Sequence, residues 1–471
     1  MSFRSLFPTI SKLFSQQSRQ TLKSSCQKAV KPLVFSSVGL LLAGGVTWVA
    51  GDQLVKRQSA EMDAQAAEFF QQYPPVESNA SARSLNRLFE PLGIAAVDNG
   101  PKGEALSIQS SKSYSSELSR AIRHYFRDQR LKAEGSIDPL PVAIQSHLAD
   151  HAEALKQVEM HLRSQPAPVW SFNSDWFTDF DQASSTTIGI RDIHRLLLFK
   201  ALSDHQKGQL QDMTAALEAA QVLANAPAKR PDLISYLVSL LMLDNSVAVM
   251  RHLDGLSPEI TAQLLTYDQQ QLSIDRLHFE NWAFQQALSK GLSKPNSVEP
   301  MFGTAARGLA TIPMLVFERP YVLLSTINSA RVQTAIYQQL PGQTICSFPP
   351  EDIHNTVTEA LPWWNILGKM SAPSFVEQWR KGGDRMLTAE LNHLVTQAKA
   401  LASKQGTWPE TLPDLTSNAC PNERWVYEVS PAGEMSLSFS REFDWRVNDD
   451  LNPARYIPLT YSANLSNSAG F

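Results

Sequence analysis

Two histidines one helical turn apart, in His147-Leu148-Ala149-Asp150-His151, have a spacing with chemical meaning. On a helix, positions i and i+4 share a face, and paired imidazoles of this kind can ligate zinc. A zinc hydrolase of the two-histidine type needs a glutamate directly after the first histidine. Leu148 stands there, so hydrolytic zinc chemistry lacks its base. His151 also falls on an apolar stripe between Leu148 and Leu155, where a hydrogen-bonded core histidine is the simpler expectation. His147 and His151 are therefore metal-ligand candidates set against a core role.

A second constellation interleaves Trp170, Phe172, Trp176, Phe177 and Phe180 with Asp175, Asp179 and Asp181. Aromatic faces beside carboxylates suit a sugar or a cationic ligand. Trp170, Asp175, Trp176 and Asp179 are the candidate ligand-binding residues. The competing reading is a loop whose rings cap a helical core while its aspartates start turns. Arg120, Arg123, Arg127 and Arg130 line one side of a helix whose other side carries Leu118, Ile122 and Phe126. Such a stripe meets anionic headgroups or simply faces water. Asp449-Asp450 lacks the spaced ligands of a calcium loop.

Neither a GxSxG elbow nor a glycine-rich phosphate loop nor a CxxC pair occurs. Catalytic residues are not identified, and no cofactor is expected. A net charge of −4 supplies no basic field for nucleic acid. Three cysteines make no disulfide framework. Cys346 and Cys420 are expected to be buried free thiols, with pairing as the alternative in an oxidising compartment.

The elements that hold these residues begin with an address. Residues 1–31 carry Arg4, Lys12, Arg19, Lys23, Lys28 and Lys31 and no acid, and residues 32–50 carry no charge. Those nineteen residues give a helix of roughly 28 Å, about the thickness of a hydrocarbon core. Residues 32–51 are read as a transmembrane helix with Trp48 at a headgroup boundary. The positive-inside rule leaves the basic tail cytoplasmic and the large domain extracytoplasmic. This predicts a single-pass signal-anchor protein of a bacterial inner membrane facing the periplasm. A mitochondrial inner membrane is the alternative, since an acid-free basic N-terminus also fits a presequence. A cleaved signal and a buried core helix fit less well, the first because the basic region is too long and the second because the charge is so one-sided. The nearest rival span, 305–324, contains Arg307, Glu318 and Arg319 and is read as globular.

A polar helix and linker are expected over 52–114, with Tyr73-Pro74-Pro75 stopping the helix and a short helix near 81–92. A helical array is expected over 115–370. Ile144, Leu148, Leu155, Val158 and Leu162 mark one continuous helix after Pro141, and Leu210, Met213, Leu217, Ala220 and Ala224 mark another. Residues 233–250 are apolar nearly all round, as in a helix covered on most sides. Short connections at Lys207-Gly208 and Asn225–Pro231 imply antiparallel neighbours. The unit Ile190–Ala226 looks like one tetratricopeptide-style hairpin, without a repeating period. Over 371–471 the pattern gives a long helix through Leu387, Leu391, Leu394, Ala398 and Leu401, stopped by Gly406 and Pro409. A hairpin of 425–429 with 435–439 follows around Pro431-Ala432-Gly433. The fold class is mostly α: a transmembrane helix, an antiparallel helical-hairpin array and a small C-terminal α+β unit.

The stretch Ala389–Leu415, with Gly406-Thr407-Trp408-Pro409 followed by Leu412 and Leu415, resembles the helix-GxxP-LxxL segment of an uncharacterised family of single-anchor bacterial membrane proteins. Arg191–Leu202 and Arg230-Pro231-Asp232-Leu233-Ile234 resemble the same group. A similar helix-GxxP segment occurs in the major pseudopilins of type II secretion, although the anchor here lacks the prepilin glycine cleavage site with Phe and Glu behind it. The resemblance implies bacterial origin and this topology, and no activity. The resulting expectation is an interaction or scaffold protein of the cell envelope, held in the bilayer by residues 32–50 and engaging a protein partner of unknown identity. Two alternatives are an envelope hydrolase or ligand-binding protein with its site near 170–181, and a pseudopilin-related secretion component.

Overall fold

The computed structural model describes residues 53, 55–94, 116–133, 137–178, 187–293, 311–347, 350–447 and 456–465. The basic tail, the apolar segment 32–50, Asp179–Asp181 and Asp449-Asp450 lie outside the described residues.

The described chain is mostly helical. Helix α1 covers 55–71 and stops before Pro74-Pro75, where proline removes the donors that a helix needs. Asn79 then caps α2 (Ala80–Phe89) by accepting from the Ala82 N–H at 2.9 Å. Ala82, Leu85 and Phe89, spaced on one face, are buried. Helix α3 spans Ser116–Leu131. One helix was expected after Pro141 through Ile144, Leu148, Leu155, Val158 and Leu162, but the chain makes two, α4 (Val142–Asp150) and α5 (Ala152–Ser164). His151 sits between them outside helical geometry (φ −116°, ψ 16°). The break turns Ile144 and Leu155 into the same core from two directions.

Helices α6 (Ile188–Gln206) and α7 (Leu210–Ala228) form the expected hairpin about Gly208, whose φ of 73° suits glycine. Ala216, Ala219 and Ala220 are buried along the seam, and small side chains there let the axes approach. Helix α7 runs on through Asn225 and Pro227, so its connection to α8 (Leu233–Met250) is shorter than the sequence implied. Asp232 caps α8 by accepting from the Ser235 N–H at 2.8 Å. By length and composition α8 could cross a membrane, but 78% of its apolar window is buried within the fold. It is the central core helix.

After the short α9 (Pro258–Ala262), three longer helices follow: α10 (Gln269–Ser293), α11 (Thr311–Tyr337) and α12 (Pro350–Ala360). The 40-residue α13 (Ile366–Gln405) crosses the whole array. The boundary expected at 370/371 therefore falls inside a helix. Gly406, with φ 74°, ends α13 and donates its N–H to the Ala402 carbonyl at 2.8 Å.

The C-terminal unit is a three-stranded antiparallel sheet rather than a lone hairpin. Its order is β1 (Trp425–Val429), β2 (Glu434–Phe439), β3 (Thr460–Asn464), with helix α14 (Asp444–Val447) before β3. Trp425 pairs with Phe439, and Leu437 with Tyr461. Trp425, Met435, Leu437 and Tyr461 are buried in one cluster with Leu387, Leu391 and Leu394 of α13. The buried Glu390 carboxylate accepts from Ser417 Oγ (2.7 Å), the Ala419 N–H (2.7 Å) and Trp425 Nε1 (3.0 Å), fixing the sheet's edge to that helix.

Cys346, after α11, and Cys420, before β1, are joined in a disulfide with Cα atoms 5.6 Å apart. The expectation of two free thiols is thereby corrected. Two sulfurs 74 positions apart in sequence meet because α13 returns the chain to the end of α11, a tertiary fact with no local signature.

Candidate functional site

Midway along α13 stands Lys381-Gly382-Gly383-Asp384-Arg385. A methyl group on Gly382 would lie 2.6 Å from the Gln269 carbonyl oxygen, and one on Gly383 would lie 2.5 Å from Ile345 Cγ2. The paired glycines therefore let α13 touch the start of α10 on one side and the loop after α11 on the other. That approach carries Asp384 and Arg385 into the interior.

There they meet charges from three other helices. Arg446 Nε of α14 lies 3.0 Å from Asp384 Oδ1, and Arg130 Nη1 of α3 lies 3.7 Å from Asp244 Oδ2 of α8. Arg385 bridges the two carboxylates, its Nη1 on Asp384 and its Nε on Asp244. Asp244 and Asp384 are 1% and 0% exposed, so no bulk water screens the centre. Burial works to lower the Arg385 pKa, but the two aspartates outweigh it and hold the guanidinium charged. Burial pushes the Arg446 and Arg130 pKa values down, against the pull of Asp384 and Asp244. Arg446 and Arg380 also share the rings of Trp445 and Tyr456, at 5.2 to 5.9 Å. Two carboxylates among three guanidinium groups form an ion knot, one positive charge in excess, joining α3, α8, α13 and α14. Its chemistry is cohesive.

Arg251, fully buried, plays a similar part at the end of α3. It donates to the carbonyl oxygens of Gln129 (3.3 Å), Arg130 (2.8 Å) and Lys132, groups that a helix terminus leaves without partners. Its Nε donates to His252 Nε2 at 3.1 Å, which requires a neutral imidazole. Burial, with Arg251 alongside, holds the His252 pKa down at about 2.

A different kind of centre lies at the N-terminus of α8. Asp232 caps the helix and pairs with Arg230 at 2.9 Å, and Glu280 of α10 accepts a hydrogen bond from the Leu233 N–H. Two carboxylates at one helix end repel each other. Burial first, and Asp232 second, push the Glu280 pKa up to about 7, while the Leu233 bond opposes them. Glu280 is only half-buried, so its proton can exchange with solvent near neutrality. A carboxylic acid poised this way can donate or accept a proton, the property required of a general acid or base.

This centre adjoins the aromatic segment. The Arg230 guanidinium lies 5.8 Å from the Phe172 ring, and Phe172 and Phe177 both pack on Phe279, the residue before Glu280. The four sequence-derived ligand candidates are not brought together. Trp170 is a core residue whose Nε1 donates to Asn86 Oδ1 at 3.0 Å. Exposed Asp175 and half-buried Trp176 share the 3-10 turn Ser174–Trp176, and Asp179 lies outside the described residues.

His147 and His151 do come together, with ring centroids 4.2 Å apart. Nδ1 of His151 donates to the His147 carbonyl oxygen at 2.9 Å. Burial and the His151 charge lower the His147 pKa. Among the described residues, no group of three or more His, Cys, Asp or Glu side chains is arranged to hold a metal ion. The basic stripe divides: Arg120, Arg123 and Arg127 are exposed, whereas Arg130 turns inward to Asp244.

A cleft of about 360 Å³ opens between α4–α5 and α6, and none of its lining residues belongs to the aromatic segment. Leu148, Ala152 and Leu155 form its floor, and Lys200, Ser203 and Asp204 form its polar wall. Lys200 is tied to Asp204 at 2.7 Å and to Glu159 at 3.0 Å.

Sequence reading missed Glu280, Asp384 and Arg385. Adjacent glycines followed by an Asp-Arg pair inside a strong helical pattern were the available sign of the second site, because glycine costs helix stability unless closeness requires it. Glu280 carried no such sign. The chain matches no family model, no curated protein and no solved structure.

Proposed function

We propose that this is a membrane-anchored protein of the bacterial cell envelope whose extracytoplasmic body serves as an interaction scaffold. The observation that carries the reading is the Cys346–Cys420 disulfide. Lasting disulfides belong to oxidising compartments, and both cysteines follow the apolar segment, whereas Cys26 precedes it. This supports the side of the membrane that the basic flank 1–31 implies. The ion knot of Asp244, Asp384, Arg385 and Arg446 supports the scaffold role, since it fixes helices from three regions of the chain in one frame.

The test is crosslinking in intact membranes, detergent solubilisation and purification of the full chain. One envelope protein recovered in fixed proportion is expected, and recovery of the chain alone would sink the scaffold reading. Carbonate extraction and protease treatment from the periplasmic side test the address: the chain should stay with the membrane and its body should be digested.

Glu280 favours a second reading, a ligand-binding or hydrolytic site beside the segment that begins at Trp170. An acid near neutral pH next to Asp232 and the Phe172 ring has the makings of proton transfer to a bound molecule. A screen of envelope-type glycosides, esters and peptides against the chain and Glu280→Gln decides it. Turnover lost in the variant supports the site, and no turnover by either protein counts against it.

A further inference from the structure

The most exposed large apolar side chain of the described residues is Trp363, at 86%, and Ile366 in the same turn is 60% exposed. Both stand where α12 hands over to α13. The turn is held rigidly. Asn365 is fully buried, its Oδ1 accepts from the Gly368 N–H at 2.9 Å, and its Nδ2 donates to the Ser325 carbonyl oxygen (2.9 Å) and Ser329 Oγ (3.0 Å). An indole and an aliphatic side chain exposed together on one ordered turn make a small apolar patch, the kind of feature that can mark an interaction site.

The contacts of α1 show which end of the body this is. Asp63 accepts from Gln286 at 2.8 Å and Ser59 meets Ser289 at 3.4 Å, whereas Phe69 packs on His278 and Tyr73 on Phe279. So α1 runs antiparallel to α10, with its start beside the end of α10. Helix α13 also runs antiparallel to α10, since Gly382 abuts Gln269 while Asn365 abuts Ser325 of α11. Asn281 bonds Ala330, and His278 packs on Tyr337, so Ser325 too lies toward the end of α10. Along the axes, Gly382 to Asn365 is about 26 Å and Gln269 to Ser289 about 30 Å. The Trp363 turn and the start of α1 thus occupy the same end of the body. Lys56 and Arg57 are exposed at the foot of α1, where Arg57 pairs with Glu61 at 3.2 Å.

We propose that Trp363 and Ile366 are a second membrane contact, seated in the headgroup region of the bilayer that holds residues 32–50. The inference rests on the anchor reading above. Nine residues separate Ala50 from Ser59, so the start of α1 lies within about 30 Å of chain from the end of the apolar segment. An indole with an aliphatic neighbour favours that boundary, where one part of the ring is apolar and its N–H stays wet. With the turn docked, the body lies against the membrane instead of swinging from a single helix.

The test uses the full chain with Cys26→Ser, whose other two cysteines are closed as a disulfide. In vesicles of phosphatidylcholine and phosphatidylglycerol, an environment-sensitive fluorophore is attached through Trp363→Cys, and in a second protein through Ala432→Cys at the exposed β1–β2 turn. A blue-shifted emission that headgroup-level spin-labelled lipid quenches is expected at 363 and not at 432. An unquenched label at 363 in a carbonate-resistant chain overturns the docking alone. Release of the chain by carbonate overturns the anchor and the docking with it. A label at 363 that is shielded only at high protein density, with no lipid quenching, assigns the turn to a second copy and also overturns the proposal.

Discussion

Asp384 and Arg446 face each other at 3.0 Å, linking the middle of the longest helix to the single turn of helix that precedes the last strand. Arg446 also donates to the Ile457 carbonyl oxygen just before β3, so one side chain ties α14 both to the array and to the start of that strand. Buried pairs are costly to form, but removing one partner leaves the other charge stranded. Arg446→Met should therefore destabilise the protein by about 3–5 kcal/mol. Urea unfolding monitored by circular dichroism measures this, and a loss under about 1 kcal/mol would mean that Arg385 alone satisfies Asp384.

Glycine to alanine inside a helix ordinarily stabilises by about 1 kcal/mol. At 382 and 383 the sign should reverse. Gly382→Ala meets a backbone oxygen that cannot move alone, and Gly383→Ala meets the branch of Ile345, which can give way. Gly382→Ala is expected to cost the more, about 2 kcal/mol or above. A thermal melt in which both variants gain stability would show that closeness is not what the glycines supply.

The disulfide closes a long loop, and the chain-entropy account assigns such a loop about 4 kcal/mol. Cys420→Ala, or reduction of the native chain, should lower the melting temperature. Free-thiol titration of unreduced protein should find only Cys26. Two further reactive thiols after unfolding without reductant would refute the link.

Glu280 sets a pH dependence. Its folded-state pKa of about 7 lies above the value of 4.5 for an unperturbed glutamate. The folded protein thus holds the proton more tightly than the unfolded chain does. The corresponding stability is complete below pH 4.5 and is lost as the pH climbs through about 7, by about 3 kcal/mol. Glu280→Gln should flatten the stability profile in that interval. An unchanged slope would assign the dependence to other groups.

Much of the architecture was legible because it is periodic. The α6–α7 hairpin, the apolar α8, the stop of α13 at Gly406 and the β1–β2 hairpin each rest on residues close in sequence. What escaped depends on meetings across the fold. His151 breaks a helix that its neighbours would have continued, because the core lies on two sides of it. Strand β3 pairs with β2 from beyond an intervening helix. Arg130 follows the same i, i+3 spacing as the exposed Arg127 yet turns inward, because Asp244 waits on α8. The candidate sites escaped for the same reason: Glu280 is an ordinary glutamate until Asp232 and the start of α8 are placed beside it.

The link between Cys346 and Cys420 also has a mechanical meaning. A pull applied between α1 and β3 enters at one sulfur and leaves at the other, bypassing α12 and α13. Those helices, with the Trp363 turn between them, then hang on the unloaded branch of a covalent ring. Load then reaches the long helix only through side-chain contacts such as Asp384–Arg446, and once these part the ring carries none of it while the rest of the molecule is stretched.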